Sequence, residues 1–241
     1  RPDAWMNVVG RINEKCWSEM YSGFFDVIEA TQIGGPQAMN AESMQQMRKL
    51  TQEYLKQMGD SFAFTMLAGE DTPMFTIEEV IDIKDADAVR RLNRQYISLI
   101  NQGAVGDFYK AMGLDIQLRM QENVAQYKGV QIDAATLDFG PADQDDPMDA
   151  VMRAMYGDGM VYRWALADDR MVVAMGANAE QRIRQLIDQA RGGARQKPPR
   201  DFMASIENLT IRGNADFLGT LNYARMMQMG MKFAFASLPR T

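Results

Sequence analysis

The sequence of 241 residues contains no histidine and a single cysteine, Cys16. The lack of histidine removes the commonest general base and the commonest metal ligand of proteins. A single cysteine excludes an internal disulfide and a thiolate metal cluster, and as a nucleophile it would lack its usual histidine partner. We therefore expect Cys16 to be a small, buried apolar residue.

Long apolar runs and nucleotide-binding glycine motifs are also missing. No run approaches the roughly 20 apolar residues of a membrane-spanning helix, and no signal peptide opens the chain. There is no phosphate-binding glycine loop, dinucleotide fingerprint or serine nucleophile elbow. Because the chain begins at Arg1 rather than at methionine, we expect a fragment of a longer protein, with any localisation signal or membrane tether in the flanks.

The sequence has no surplus of positive charge, since its net charge is −6. That balance disfavours a nucleic-acid partner or an anionic membrane surface, both of which need a basic footprint. The composition is otherwise that of a folded globular protein, with 46% hydrophobic and 24% charged residues. The expected partner is therefore an unidentified protein or small-molecule ligand.

Apolar periodicity predicts an α+β fold in which helices pack against a largely antiparallel sheet built from hairpins. We expect a helical N-terminal segment over residues 1–58, an α+β core over 59–192 and a linker over 193–200. A strand–helix segment over 201–241 could belong to the same domain as the core. The pattern leaves open whether residues 226–238 form a helix or a strand.

Helical spacing predicts apolar stripes on four helices. The stripes are Trp5, Val8, Val9, Ile12 and Cys16; Met44, Met47, Leu50, Tyr54 and Met58; Val89, Leu92, Tyr96 and Ile100; and Ile183, Leu186 and Ile187. Gly59, Gly103 and Gly192 are expected to end the last three of these helices.

Three similar segments are predicted to open helices after strands: "DADAVRRL", "NAEQRIRQL" and "NADFLGTL". Asp85, Asn178 and Asn214 occupy the capping position in them. They mark either a repeated strand–helix unit or a common solution for capping, and we favour capping because the spacings between them differ widely.

Period-two alternation predicts the strands. They cover residues 61–68, the stretch from Phe75 to Ile81, and the segments "LDIQLRMQE" and "VAQYKGVQIDAATLDF". A strong hairpin, "GMVYRWALADDRMVVAMGA", is expected to turn at Ala167 to Arg170.

The methionines are the first candidate for chemistry, because the chain has 21 of them and "MMQMGM" places four in residues 226–231. A thioether site for Cu(I) needs about three sulfurs at one point. A helix would pair Met227 with Met231 and Met226 with Met229 on different sides, and a strand would produce an apolar stripe. We therefore interpret the four methionines as contributors to burial or to an adaptable apolar contact surface.

The second candidate is an acidic stretch containing Asp138, Asp143, Asp145, Asp146, Asp149 and Asp158. Oxygen-rich loops bind Ca²⁺, but the spacing of an EF-hand is absent. Residues 147–155 could instead begin a short helix capped by Asp146. We interpret the stretch as a solvated loop.

The third candidate is basic: Arg182, Arg184, Arg191, Arg195, Lys197 and Arg200. "RGGAR" resembles arginine–glycine RNA-binding tracts, but one copy is a weak signal, and a solvated linker is favoured. Carboxylate pairs can also catalyse hydrolysis, although the sequence selects no such pair.

Three segments in residues 60–190 carry a family resemblance: "EEVIDIKDADAVRRLNRQ", "YKGVQI" and "YRWALADDRMVVAMGANAEQRIRQLID". This part of the chain resembles a diffuse group of bacterial proteins of unknown function, mostly secreted or lipid-anchored. The resemblance implies an extracytoplasmic α+β domain and implies no catalytic residues.

These observations favour a non-catalytic binding or scaffold domain of the bacterial envelope, periplasmic or extracellular. We assign no residue to catalysis, to a cofactor or to a metal, and we expect no cofactor. Two alternatives from other classes are a Met-rich or Asp-rich metal-handling protein and a carboxylate-dependent hydrolase.

Overall fold

The computed structural model of the protein describes residues 4–31, 41–68, 75–101, 116–139, 153, 156–157, 159–176, 178–192 and 217–236. Within them, eight strands form one sheet, and five helices accompany it. The strands are β1 (Ala4–Arg11), β2 (Met58–Ala68), β3 (Phe75–Ile83), β4 (Ile116–Tyr127), β5 (Val130–Phe139), β6 (Gly159–Ala167), β7 (Arg170–Gly176) and β8 (Phe217–Leu221). The helices are α1 (Glu14–Thr31), α2 (Ala41–Gln57), α3 (Ala86–Asn101), α4 (Ala179–Arg191) and α5 (Tyr223–Ala236).

The strand order in the sheet is β4-β5-β6-β7-β3-β2-β1-β8, and every neighbouring pair is antiparallel. The predicted α+β class with a largely antiparallel sheet is therefore confirmed. The first and last strands, β1 and β8, are neighbours. Strands from the predicted N-terminal, core and C-terminal segments thus share one sheet.

The prediction that residues 1–58 are helical is wrong for residues 4–11, which form β1. β1 lies between β2 and β8 and pairs with both. A short apolar run such as "AWMNVV" is compatible with a helix or a strand. Here the strand is favoured because β1 forms backbone hydrogen bonds with a strand on each side, β2 and β8. The adjacent Val8 and Val9 are β-branched and favour extended backbone.

Gly59 does not end a helix, as its position after "LKQM" suggested, but lies in β2 directly after α2. A Cβ atom at Gly59 would lie 2.7 Å from the Cβ atom of Asp82 on β3. The glycine is therefore explained by the close approach of two strands.

The prediction of a helix over "FLGTL" is also wrong, because residues 217–221 form β8. Asn214, its proposed cap, lies outside the described residues. The helix begins later, at Tyr223, where the Asn222 side-chain oxygen accepts a hydrogen bond from the Arg225 backbone N–H at 3.1 Å. Residues 226–236 are helical.

The other two predicted caps differ from each other. Asp85 caps α3, since its Oδ1 accepts hydrogen bonds from the N–H groups of Asp87 and Ala88 at 2.9 and 3.0 Å. Asn178 is the N-cap residue of α4 as predicted, but its side chain makes no capping hydrogen bond. Its φ of 59° is left-handed, a conformation that asparagine tolerates better than most residues, so it serves the turn from β7 into α4.

Helices cover both faces of the sheet. Helix α4 packs on one of them, here the α4 face, which carries Ile132, Ala165 and Val172; the core there includes the predicted stripe residues Ile183, Leu186 and Ile187. The opposite surface, the three-helix face, carries Ile81, Ile83, Met171 and Val173 beneath α2 and α3. Helix α1 reaches it through the Trp17–Phe62 ring contact at 5.7 Å.

The three helices on that side join through buried Phe25, Met44, Met47 and Leu99. Met44 and Met47 therefore lie in the core as predicted. Tyr96 does not, because its side chain is exposed and Leu99 is buried in its place. Cys16 is also exposed, in the first turn of α1, so the expectation that it is buried is wrong.

Candidate functional site

Strand register arranges the side chains of the α4 face into rows that run across the sheet. Alternate residues of a strand point to one face, and paired residues of neighbouring strands stand side by side. Three rows follow: a polar row of Thr220, Asn7, Thr65 and Glu78; an apolar row of Leu218, Val9, Ala63, Val80 and Val172; and a charged row of Arg11, Ser61, Asp82 and Arg170.

A groove of about 470 Å³ lies over the apolar and charged rows on β8, β1, β2 and β3 and reaches Arg170 of β7. Its lining includes four members of the apolar row and the whole charged row. Helix α4 contacts β3, β6 and β7, beside this half of the sheet. Val9 in the groove is 41% exposed and Phe217 at its margin is 71% exposed. The volume is within the range of small-molecule pockets, about 300–1,000 Å³.

The polar row next to the groove is linked by side-chain hydrogen bonds. The Thr65 hydroxyl donates to Asn7 Oδ1 at 3.2 Å, and Asn7 Nδ2 donates to Thr220 Oγ1 at 3.4 Å. Because these groups satisfy one another across three strands, they fix the side-chain positions along that edge of the apolar row.

The charged row is held at its α4 end. The Ser61 hydroxyl donates to Asp82 Oδ2, and Arg170 Nε lies 3.4 Å from Asp82 Oδ1. Arg170 also donates to the backbone oxygen of Ala190, near the end of α4, at 3.1 Å. The carboxylate of Asp82 is thus engaged from two sides, and the charge of Arg170 is balanced locally.

Arg11 differs from Arg170. Its side chain is exposed, and within the described parts of the chain it forms no ion pair. It lies two strands from Asp82, which corresponds to about 10 Å at the usual strand spacing. The β1 end of the charged row therefore carries an arginine that forms no ion pair with a described residue.

The methionine segment lies apart from the groove lining, on α5. The helical geometry places Met227 and Met231 on one side, and these two side chains are 46% and 52% exposed. Met226 is half-buried. The expectation that the segment contributes to burial is therefore wrong for Met227 and Met231, which fit the alternative of an apolar contact surface.

Most of the acidic stretch, including Asp143, Asp145, Asp146, Asp149 and Asp158, lies outside the described residues. Asp138 lies on β5, and its Oδ2 is 3.4 Å from Arg119 Nε. In the part of the chain that the structure describes, no group of three or more aspartate, glutamate or cysteine side chains is placed to hold a metal ion. The interpretation of the stretch as a solvated loop stays a prediction.

The structure describes three of the six basic candidate residues. Arg182 pairs with Glu78 at 2.5 Å and Arg184 with Glu180 at 2.6 Å. Arg191 donates to the backbone oxygen of Lys128 at 2.7 Å. These three side chains hold α4 to the sheet and to itself, whereas Arg195, Lys197 and Arg200 lie outside the described residues.

Sequence reasoning did not identify the groove residues Arg11, Ser61, Asp82 and Arg170. Each lies on a different strand, and only the strand order places them in one row. The available signal was alternation: in β3 an apolar Val80 stands between Glu78 and Asp82, which indicates a face that is only partly covered.

Comparisons of the chain with family models, curated proteins and solved structures find no match. Among the described helices, none combines the length and the apolar character required to cross a membrane.

Proposed function

We propose that this chain is a non-catalytic binding domain and that the groove on the α4 face is its ligand site. The observation that carries the proposal is the apolar row of Leu218, Val9, Ala63 and Val80, which faces a cavity between a polar and a charged row. An apolar floor with a few fixed polar groups is the usual composition of a small-molecule site. The floor is built from paired strands, so it is largely preformed.

The chemistry of the groove favours binding over hydrolysis. Hydrolysis by carboxylates uses two of them, one on each side of the bond to be cleaved. The described lining contains one carboxylate, Asp82, and both of its oxygens are engaged by Ser61 and Arg170. An engaged carboxylate of this kind positions side chains, which suits a binding site.

The proposed location is the bacterial envelope, periplasmic or extracellular, and it rests on the sequence resemblance of residues 60–190 to secreted or lipid-anchored proteins. A binding or scaffold role is compatible with that setting.

Titration with N-phenyl-1-naphthylamine, a neutral apolar dye that fluoresces in apolar surroundings, tests the proposal. We expect saturable binding to the chain. Val9→Asn should weaken it several-fold, because a buried valine contributes about 1.5 kcal/mol or more to an apolar contact. Ala63→Phe should weaken it further by filling the floor of the groove.

Val161→Asn is the matched control. Val161 is also a partly exposed valine on the α4 face, where it pairs with Thr136 of β5, but it lies outside the groove lining. This variant should bind the dye as the parent does. Absence of saturable binding, or equal loss in Val9→Asn and Val161→Asn, would contradict the proposed site.

A further inference from the structure

We infer that the ligand of the groove is an amphiphilic anion, with an alkyl chain along the apolar row and its anionic head beside Arg11. This inference rests on the proposed function and adds the class of ligand.

The shape of the apolar row favours an extended chain. Leu218, Val9, Ala63 and Val80 lie on four consecutive strands, so the row is about 14 Å long at the usual spacing of strands. The rows on either side begin about 7 Å away along each strand. A strip that is long, narrow and flanked by polar rows fits one alkyl chain better than a compact ring system.

The charges of the groove select the sign of the head. The chain as a whole is negative, with a net charge of −6, but the groove lining contains Arg11, Arg170 and Asp82. Asp82 and Arg170 pair with each other, so among the described lining residues Arg11 is the charged group without an ion-pair partner. A cationic head would meet Arg11, whereas an anionic head gains a charge-assisted hydrogen bond from its guanidinium group.

The position of Asp82 also orients the ligand. Asp82 lies on β3 and Arg11 on β1, with Ser61 of β2 between them. Ser61 donates its hydroxyl hydrogen to Asp82 and not towards Arg11. An anionic head is therefore kept away from the carboxylate and placed at the β1 end of the charged row.

Displacement of the neutral dye by dodecanoate and by dodecan-1-ol tests the inference, since the two share a chain length and differ in the head. Both are used below the concentration at which dodecanoate forms micelles. We expect the parent chain to bind dodecanoate at least about fivefold more tightly than the alcohol, the scale of one charge-assisted hydrogen bond. Arg11→Gln should abolish that difference, and Arg11→Lys should restore most of it.

Arg91→Gln is the charge-matched control, because Arg91 is an exposed arginine on α3 and its loss changes the net charge equally. It should retain the preference for dodecanoate. The inference would be overturned if the two compounds displaced the dye equally, if neither displaced it, or if the preference for dodecanoate survived in Arg11→Gln. In each of these cases the dye still binds, so the proposed function would stand. Failure of the dye to bind would instead remove the proposed function and the inference with it.

Discussion

Glu79 is a half-buried carboxylate on the three-helix face of the sheet. It lies near Tyr21 of α1 and Tyr54 of α2. The pKa values of both tyrosine hydroxyl groups are raised, mainly because the hydroxyls are buried and secondly because the charge of Glu79 is close. Burial also raises the pKa of Glu79 itself. Over the part of the chain that the structure describes, no cation pairs with this carboxylate. Its ionised form therefore opposes folding.

The raised pKa fixes the direction of a pH effect. The folded chain binds the Glu79 proton more tightly than the unfolded chain, so this residue stabilises the fold most below the ordinary glutamate pKa of about 4.3. As the pH rises towards the folded-state pKa, the free energy of unfolding falls. Glu79→Gln removes the ionisation, so we expect a higher melting temperature at pH 7 and a flatter dependence of stability on pH.

Urea unfolding of the parent and of Glu79→Gln between pH 4 and pH 8 measures how the free energy of unfolding of each depends on pH. Glu19→Gln provides the control, because Glu19 is an exposed glutamate on α1 whose carboxylate lies 3.9 Å from the Lys15 ammonium group. Its pH dependence should match that of the parent. A Glu79→Gln variant that is less stable than the parent at pH 7 would show that the carboxylate has a favourable partner.

Helix α4 is attached to the sheet by an ion pair as well as by its apolar stripe. Glu78 of β3 is buried, and its Oε1 lies 2.5 Å from Arg182 Nη1, whose side chain is 22% exposed. Removing one partner of a buried ion pair is strongly destabilising, so Arg182→Met should lower the free energy of unfolding by about 3 kcal/mol.

The same helix offers a matched comparison. Arg184 pairs with Glu180 at 2.6 Å, but both side chains are about half exposed. Arg184→Met should cost about 0.5 kcal/mol or less, the usual worth of an exposed pair one helical turn apart. Denaturant unfolding of both variants gives the two values. Similar losses would mean that Glu78 is solvated once Arg182 is removed.

The elements that the sequence predicted well are those whose signals are local. The β6–β7 hairpin turns at Asp168, whose φ of 56° is positive, and α4 places Ile183 and Ile187 in the core. In both cases the alternating or helical apolar pattern, the turn residues and the packing partners lie within about 30 residues of one another along the chain.

β1 and β8 were predicted as helix because their decisive partners are distant. β1 pairs with β2 and β8, and β8 pairs with β1 near the other end of the chain. A five-residue run such as "FLGTL" has no period of its own that separates a helix from a strand. The groove was missed for the same reason, since its rows exist only once those two strands are in place.

At the scale of the whole molecule, the sheet joins the two ends of the described chain. Asn7 of β1 and Thr220 of β8 are cross-strand partners, and their side chains are hydrogen-bonded at 3.4 Å. The groove depends on this junction, because Leu218 and Val9 stand side by side next to it. The topology therefore requires that cysteines placed at positions 7 and 220 be close enough to bond.

The last prediction is that Asn7→Cys with Thr220→Cys, in a Cys16→Ser background, forms a disulfide on mild oxidation. Paired residues of neighbouring strands have Cα separations within the range that a disulfide spans. The bond would close nearly the whole chain into a loop, so the oxidised form should exceed the reduced form in stability by up to about 5 kcal/mol. Intact mass and thiol counting measure the bond, and thermal unfolding with and without reductant measures its effect.

Asn7→Cys with Gly219→Cys is the control, because residue 219 points to the opposite face of the sheet and this pair should stay reduced. Bonding in the control but not in the 7–220 pair would show that β8 is shifted by one residue, which would move Leu218 out of the groove.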